Sequence, residues 1–324
     1  GVLLSSEALK AKKKFQRLGT LIKLISLNPK KLSKFKITIQ RVNFNLIVPK
    51  LTKKHPDVDY EETKLGNIKT WKITSKNSDP EKVLLYFHGG AYVVGNPEAY
   101  YPMMSYLAAS TGFTVYLPDY RLAPEHFYPS QLEDGISCFK SLIENFGYSP
   151  NQIAFGGDSA GGNLSLVTLL KLKEQGDDMP GAVVCMSPWA DPAATGDTYT
   201  LEMCDKDPVL GPTFKRIYNH YGLDAYLTYY VKDEDMDKDN PYICPINGDF
   251  TGCPPIMIHV GKDELLLSDA RTLIKALDRD GVTYEYREWD GLWHVFQMES
   301  YMPEAQESFT DFNNFLNKHI GAKV

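Results

Sequence analysis

Acidic residues are almost missing from the first 54 positions. Glu7 stands alone there against 14 Lys and Arg, so this stretch carries +13 while the whole chain of 324 residues carries −6 and the remainder −19. A basic arm on an acidic body predicts an arm that packs on the body with its lysines solvated, the alternative being contact with an anionic membrane surface. Arg–aromatic clusters of the kind that hold nucleic acid are lacking, so no nucleic-acid partner is expected. No apolar run approaches the roughly 20 residues a membrane-spanning helix needs, so no integral membrane segment is expected. No signal-peptide pattern opens the sequence, and the expected location is cytoplasmic. Cysteine is scarce: Cys138, Cys185, Cys204, Cys244 and Cys253 make an odd set without Cys-x-x-Cys spacing. That excludes a zinc pattern and predicts free thiols, with a Cys244–Cys253 bridge left open. Repeats and low-complexity tracts are also lacking.

What is present is an alternation of strand and helix signals. Phe15, Leu18, Ile22 and Ile25 recur at helical spacing and Pro29 ends the run. A second helical or mixed stretch reaches about Val48. Two strands, 58–63 and 67–74, join through Gly66 as a hairpin. Continuous apolar runs follow at 83–87, 113–117, 153–155, 182–186 and 255–260, as strands buried on both faces require. Helices are expected at 100–109, 131–146, 164–172, 268–280 and 304–319, and a last strand at 283–288, an outer edge through which a homodimer is possible. The pattern predicts an α/β fold with a mostly parallel sheet. It breaks between Pro188 and about Gly252, too long for a plain connection. That segment, with helical pieces at 212–221 and 224–230, reads as an insertion forming a lid with the N-terminal helices. The expected division is an N-terminal cap segment, 1–54, and a catalytic domain, 55–324, with the cap insertion at about 190–235.

The chemistry centres on Gly156-Gly157-Asp158-Ser159-Ala160-Gly161-Gly162. A strand before it and a helix after it make Gly157-x-Ser159-x-Gly161 a nucleophile elbow, with the serine hydroxyl exposed at a sharp turn. A serine needs a base to take its proton and an acid to hold the base. The elbow architecture puts that acid and that histidine later in the chain, at carboxyl ends of strands. Asp263 is the expected acid, with the adjacent Glu264 as the alternative, and His294 is the expected base. His319, near the end of the last helix, fits a dipole partner instead. Early in the sheet, His88-Gly89-Gly90-Ala91 follows a strand. Backbone N–H groups of Gly90 and Ala91, with that of Ala160, can converge on a developing oxyanion.

These segments, with Asp119-Tyr120-Arg121-Leu122-Ala123-Pro124-Glu125-His126 and Ser187-Pro188-Trp189, resemble the hormone-sensitive-lipase-like esterases of bacterial family IV, over about residues 80–300. The resemblance implies an α/β-hydrolase fold with a helical cap and hydrolysis of carboxylic esters of short to medium acyl chain as small-molecule substrates. It also implies no cofactor and no metal. Carried over, Ser159, Asp263 and His294 form the triad, and Gly89, Gly90 and Ala91 the oxyanion loop with Ala160. Ala91 and Val295 depart from positions where glycine is frequent in the family. Arg121 and Glu125 are expected to build a structural turn, and Asp158 to bond surrounding backbone. Weak candidates for the pocket lining are Tyr92, Tyr199, Met203, Tyr218, Tyr221, Phe15 and Leu18. A ligand-binding protein on the same fold, as in the plant gibberellin receptors, lacks the histidine base, and His294 argues against that. True lipase action would need an exposed apolar patch near the cap, and the lysine-rich arm would favour an anionic interface.

Overall fold

Strands β1 (Val58–Leu65), β2 (Ile68–Ser75), β3 (Asp79–Phe87), β4 (Phe113–Pro118), β5 (Ile153–Asp158), β6 (Ala182–Met186), β7 (Ile256–Gly261) and β8 (Tyr284–Trp289) form the sheet. They lie in the order β1-β2-β4-β3-β5-β6-β7-β8. This is seen in a computed structural model that describes residues 3–22, 34–221 and 230–321. β1, β2 and β4 pair antiparallel, and every pair from β4–β3 to β7–β8 is parallel. The expected hairpin is there, its turn at Gly66 with φ +58°.

The apolar runs have the reason assigned to them. Val83, Leu85 and Phe87 of β3 enter one core while Leu84 and Tyr86 enter the other, and β5, β6 and β7 alternate in the same way. A strand covered on both sides has no solvent face to keep polar. One core is closed by α4 (Ser130–Glu144), α5 (Ala160–Glu174) and α8 (Leu267–Arg279). The other is closed by α1 (Ser6–Ile22), α3 (Pro97–Thr111) and α9 (Pro303–His319).

α1 buries Ala8 and Ala11, with Leu4 and Phe15 half-buried beside them. The expected face is therefore right at Phe15 but extends toward the N-terminus through alanines too small to mark a stripe. Ile25, Pro29 and the side chain of Ile22 lie outside the described residues. α2 (Lys34–Ile47) follows as expected and packs on α3. After β6 come α6 (Leu201–Lys206) and α7 (Gly211–Tyr221). α6, not expected from the sequence, is a single short turn set by Thr200, whose hydroxyl accepts the Met203 N–H at 3.1 Å. The helical piece expected at 224–230 falls mainly on positions outside the described residues. The five cysteines are free. No helix among the described residues is long and apolar enough to cross a membrane.

Candidate active site

β5 runs straight into Ser159, whose backbone sits at φ 52°, ψ −117°. A non-glycine residue held there stores strain of about 1–3 kcal/mol, and the surrounding contacts must over-determine it. They do: Ser159 N–H donates to Met186 O at 3.0 Å, and Ser159 O accepts from Trp189 N–H at 3.0 Å. The two flanking glycines are required by space. A Cβ on Gly157 would lie 2.1 Å from Gly161 O, and one on Gly161 would lie 1.8 Å from Phe87 O.

Ser159, Glu264 and His294 stand at the carboxyl ends of β5, β7 and β8. Ser159 Oγ is 3.0 Å from His294 Nε2, and His294 Nδ1 is 3.0 Å from Glu264 Oε1. Glu264 is fully buried, and its second oxygen accepts from the Ser187 hydroxyl at 2.7 Å and from Gly261 N–H at 2.8 Å. Ser187, at the end of β6, also accepts Val295 N–H at 3.1 Å. One hydroxyl thus fastens the carboxylate to the loop that carries the imidazole. No motif logic pointed to Ser187; only its place in Ser187-Pro188-Trp189 marked it.

The expected acid, Asp263, is displaced from this line. Its carboxylate turns outward, a quarter exposed, and pairs with Lys12 Nζ at 2.7 Å. Asp263 N–H bonds Leu292 O at 2.9 Å, which ties the acid loop to the base loop and sends the next side chain, Glu264, inward. Glu264 has the extra methylene that reaches the imidazole. Lys12 Nζ also donates to Gly291 O at 3.0 Å, so α1 clasps both loops from outside. Lys12→Met should cost about 1 kcal/mol, and lower the thermal midpoint by about 1–2 °C in an unfolding scan.

The charges of three carboxylates act on His294, one of them in contact with it. Burial pulls the imidazole pKa down, but the hydrogen bond and charge of Glu264, with the charges of Asp207 and Asp158, outweigh it and leave the pKa raised. Asp207, between α6 and α7, is buried and accepts N–H groups of Val209, Leu210 and Leu265. Burial pushes its carboxyl up to about 6 against those bonds and the charge of His294. It thereby links the segment after β6 to the residue following Glu264. Asp158 accepts from Tyr86 and Tyr100 hydroxyls at 2.7 and 3.0 Å and from Gly89 N–H at 3.1 Å.

That last bond corrects one expectation. Gly89 fixes the loop on the elbow, and its N–H is turned to Asp158 rather than toward Ser159. Gly90, Ala91 and Ala160 keep N–H groups without an acceptor among the described residues. Both departures from the family pattern fall on left-handed backbone, Ala91 at φ 54° and Val295 at φ 48°, where glycine costs least. Arg121 binds Asp134, and Glu125 binds Arg41 of α2, so neither points to the chemistry. His88 is buried and stacked on Tyr120, its pKa lowered by burial to about 4.

Beside Ser159 lies a narrow cavity of about 40 Å³ lined by Ala91, Trp189, Tyr199, Leu210, Phe214 and two leucines, Leu265 and Leu266. Of the expected lining residues only Tyr199 is there. Tyr92 is buried with its hydroxyl on Asn163, Phe15 lies against Trp293, and Tyr218 is exposed. Met203 and Leu18 are not in the wall, and the Tyr221 side chain is outside the described residues.

A strained serine after a central parallel strand, with a histidine and a buried carboxylate behind it, defines a class, and the chain belongs to it: the family model for the alpha/beta hydrolase fold matches residues 84–298. Within that class the chain is similar to an acetyl-hydrolase of Streptomyces hygroscopicus, 32% identical over 74% of this chain and 77% of that one. It is also similar to an esterase of the bacterial hormone-sensitive lipase family, whose crystal structure covers 99% of this chain and all of its own at 29% identity and a TM-score of 0.85. A second similar structure, soaked with p-nitrophenyl butyrate, covers 98% of this chain and all of its own at 28% identity and a TM-score of 0.84.

Proposed function

We propose that the protein hydrolyses carboxylic esters of short acyl chain through an acyl-enzyme on Ser159. The observation that carries this is the unbroken line Ser159 Oγ, His294 Nε2, His294 Nδ1, Glu264 Oε1, with both gaps at 3.0 Å. His294 takes the serine proton as Oγ attacks the ester carbonyl, then gives it to the leaving alkoxide. Glu264 holds the imidazole in the tautomer with Nδ1 protonated and stabilises its charged form. N–H groups of Gly90, Ala91 and Ala160 receive the oxyanion, each worth about 3–4 kcal/mol in the transition state. Water, deprotonated by His294, then releases the acid. The relatives named above, an acetyl-hydrolase and esterases, support the substrate class.

Residues 1–54 and about 190–235 act as the cap in this reading. Tyr199, Leu210 and Phe214 come from the second of these, and they narrow the cavity to about 40 Å³. That is room for roughly three water-sized groups, which suits acetyl to butyryl. With p-nitrophenyl esters, kcat/KM should peak between two and four acyl carbons and fall about tenfold or more by eight. Phe214→Ala should shift the peak to longer chains. A flat profile across lengths, or no turnover of any ester, would count against the assignment.

A further inference from the structure

α2 is apolar on two opposite faces, and among the described residues only one of them is covered. Ile37 is buried, Phe44 lies 6.4 Å from the Tyr100 ring, and Val48 packs into the same core. On the other side Phe35, Ile39, Val42 and Leu46 are 75, 37, 51 and 55% exposed. At 100° per residue these four fall within an arc of about 60°. Single exposed apolar residues are ordinary, but four in register along one helix, led by a phenylalanine, form a continuous outward stripe. The lysines that flank it along the chain are of one sign, while Arg41 is paired with Glu125. From Lys34 to Lys54 there are six cations and no acid, and Lys34, Lys36, Lys50, Lys53 and Lys54 are exposed.

We propose that this face of α2 is an interfacial helix that seats the protein on an anionic lipid surface. An apolar stripe flanked by lysines matches the boundary between acyl chains and negative headgroups: the stripe enters, and the ammonium groups stay at headgroup level. The charge along the chain supplies orientation, since the five exposed lysines between Lys34 and Lys54 turn toward the membrane and the −19 of residues 55–324 is repelled by it. A second copy fits less well. A two-fold contact through this face of α2 would set Lys34 and Lys36 against themselves with no acid on either helix. The helix is also rigidly joined to the catalytic side. Arg41 donates to Val93 O at 2.7 Å and Ala123 O at 2.8 Å, and Val93 N–H bonds Gly90 O at 3.0 Å. A docked α2 therefore holds the loop bearing Gly90 and Ala91 close to the interface. The binding itself is independent of the hydrolytic reading.

The test is co-sedimentation of the full chain with vesicles of phosphatidylcholine alone or mixed with phosphatidylserine, at low and at high salt. The protein should pellet with the mixed vesicles, release as salt rises, and stay in the supernatant with phosphatidylcholine alone. Phe35→Ser with Leu46→Ser should weaken binding at least about tenfold, and Lys34→Glu with Lys50→Glu likewise, both with unchanged circular dichroism and thermal midpoint. Three results would overturn the proposal. One is wild type absent from anionic vesicles at low salt; another is a serine variant that pellets as well as wild type; the third is a lipid-free protein that sediments as a dimer which the serine changes dissociate, a result that would give the stripe to a second copy.

Discussion

Glu264→Gln should lower kcat by about 10⁴, while Asp263→Asn should change it by less than about fivefold. The two residues are adjacent, yet only Glu264 meets the imidazole. Glutamine keeps the shape of the side chain and removes its charge. Its amide must also satisfy donors at both ends, from Ser187 and Gly261 on one side and His294 Nδ1 on the other. With the amide oxygen toward Ser187 and Gly261, its NH2 faces Nδ1 and pushes the imidazole to the tautomer that cannot accept the serine proton; turned the other way, the NH2 faces the Gly261 N–H and that orientation is disfavoured. A pH signature accompanies the loss. His294 acts as base only when neutral, so activity falls as pH drops through its pKa. In the wild type that value is raised above the ordinary 6.5 chiefly by Glu264, once burial is overcome. The acidic limb of kcat/KM should therefore lie above pH 6.5 in the wild type and move to lower pH in Glu264→Gln. A large loss in Asp263→Asn with a near-normal Glu264→Gln would transfer the acid role to Asp263.

Ser159→Ala should reduce kcat by about 10⁶ and leave the fold intact. The side chain makes one hydrogen bond, to His294, and the strained backbone is held by Met186 O and Trp189 N–H, which alanine keeps. A fluorophosphonate should label the wild type once, at Ser159, and leave the alanine variant unlabelled. Turnover in a folded Ser159→Ala protein, above what the oxyanion N–H groups alone provide, would mean that the nucleophile lies elsewhere.

Much of this was legible in the chain because the strands from β3 to β7 are covered on both faces and so read as unbroken apolar runs. The elbow was legible because Gly157 and Gly161 are demanded by contacts with backbone atoms that any such turn creates. The identity of the acid was not. Asp263 and Glu264 both follow β7, and which one turns inward depends on the bond from Asp263 N–H to Leu292 O, between loops far apart in sequence. Resemblance favoured the aspartate, and Lys12, 251 positions away, takes it. Ser187, Asp207 and Arg41 also reach partners 52 to 108 positions away, and no local pattern marks them. The stripe on α2 was hidden differently: apolar residues at helical spacing look the same whether they face the core or the solvent.

The clasp between α1 and the two late loops bears on how the protein comes to be made. Lys12 lies 279 positions before Gly291, its carbonyl partner. At about 5–20 residues per second, a ribosome needs roughly 15–60 s to cover that distance. Throughout that time Lys12 lacks at least one of its two partners, Asp263 and the Gly291 carbonyl. The helix is synthesised long before its seat is complete, and its docking records that β7, β8 and the loops beyond them are already in place.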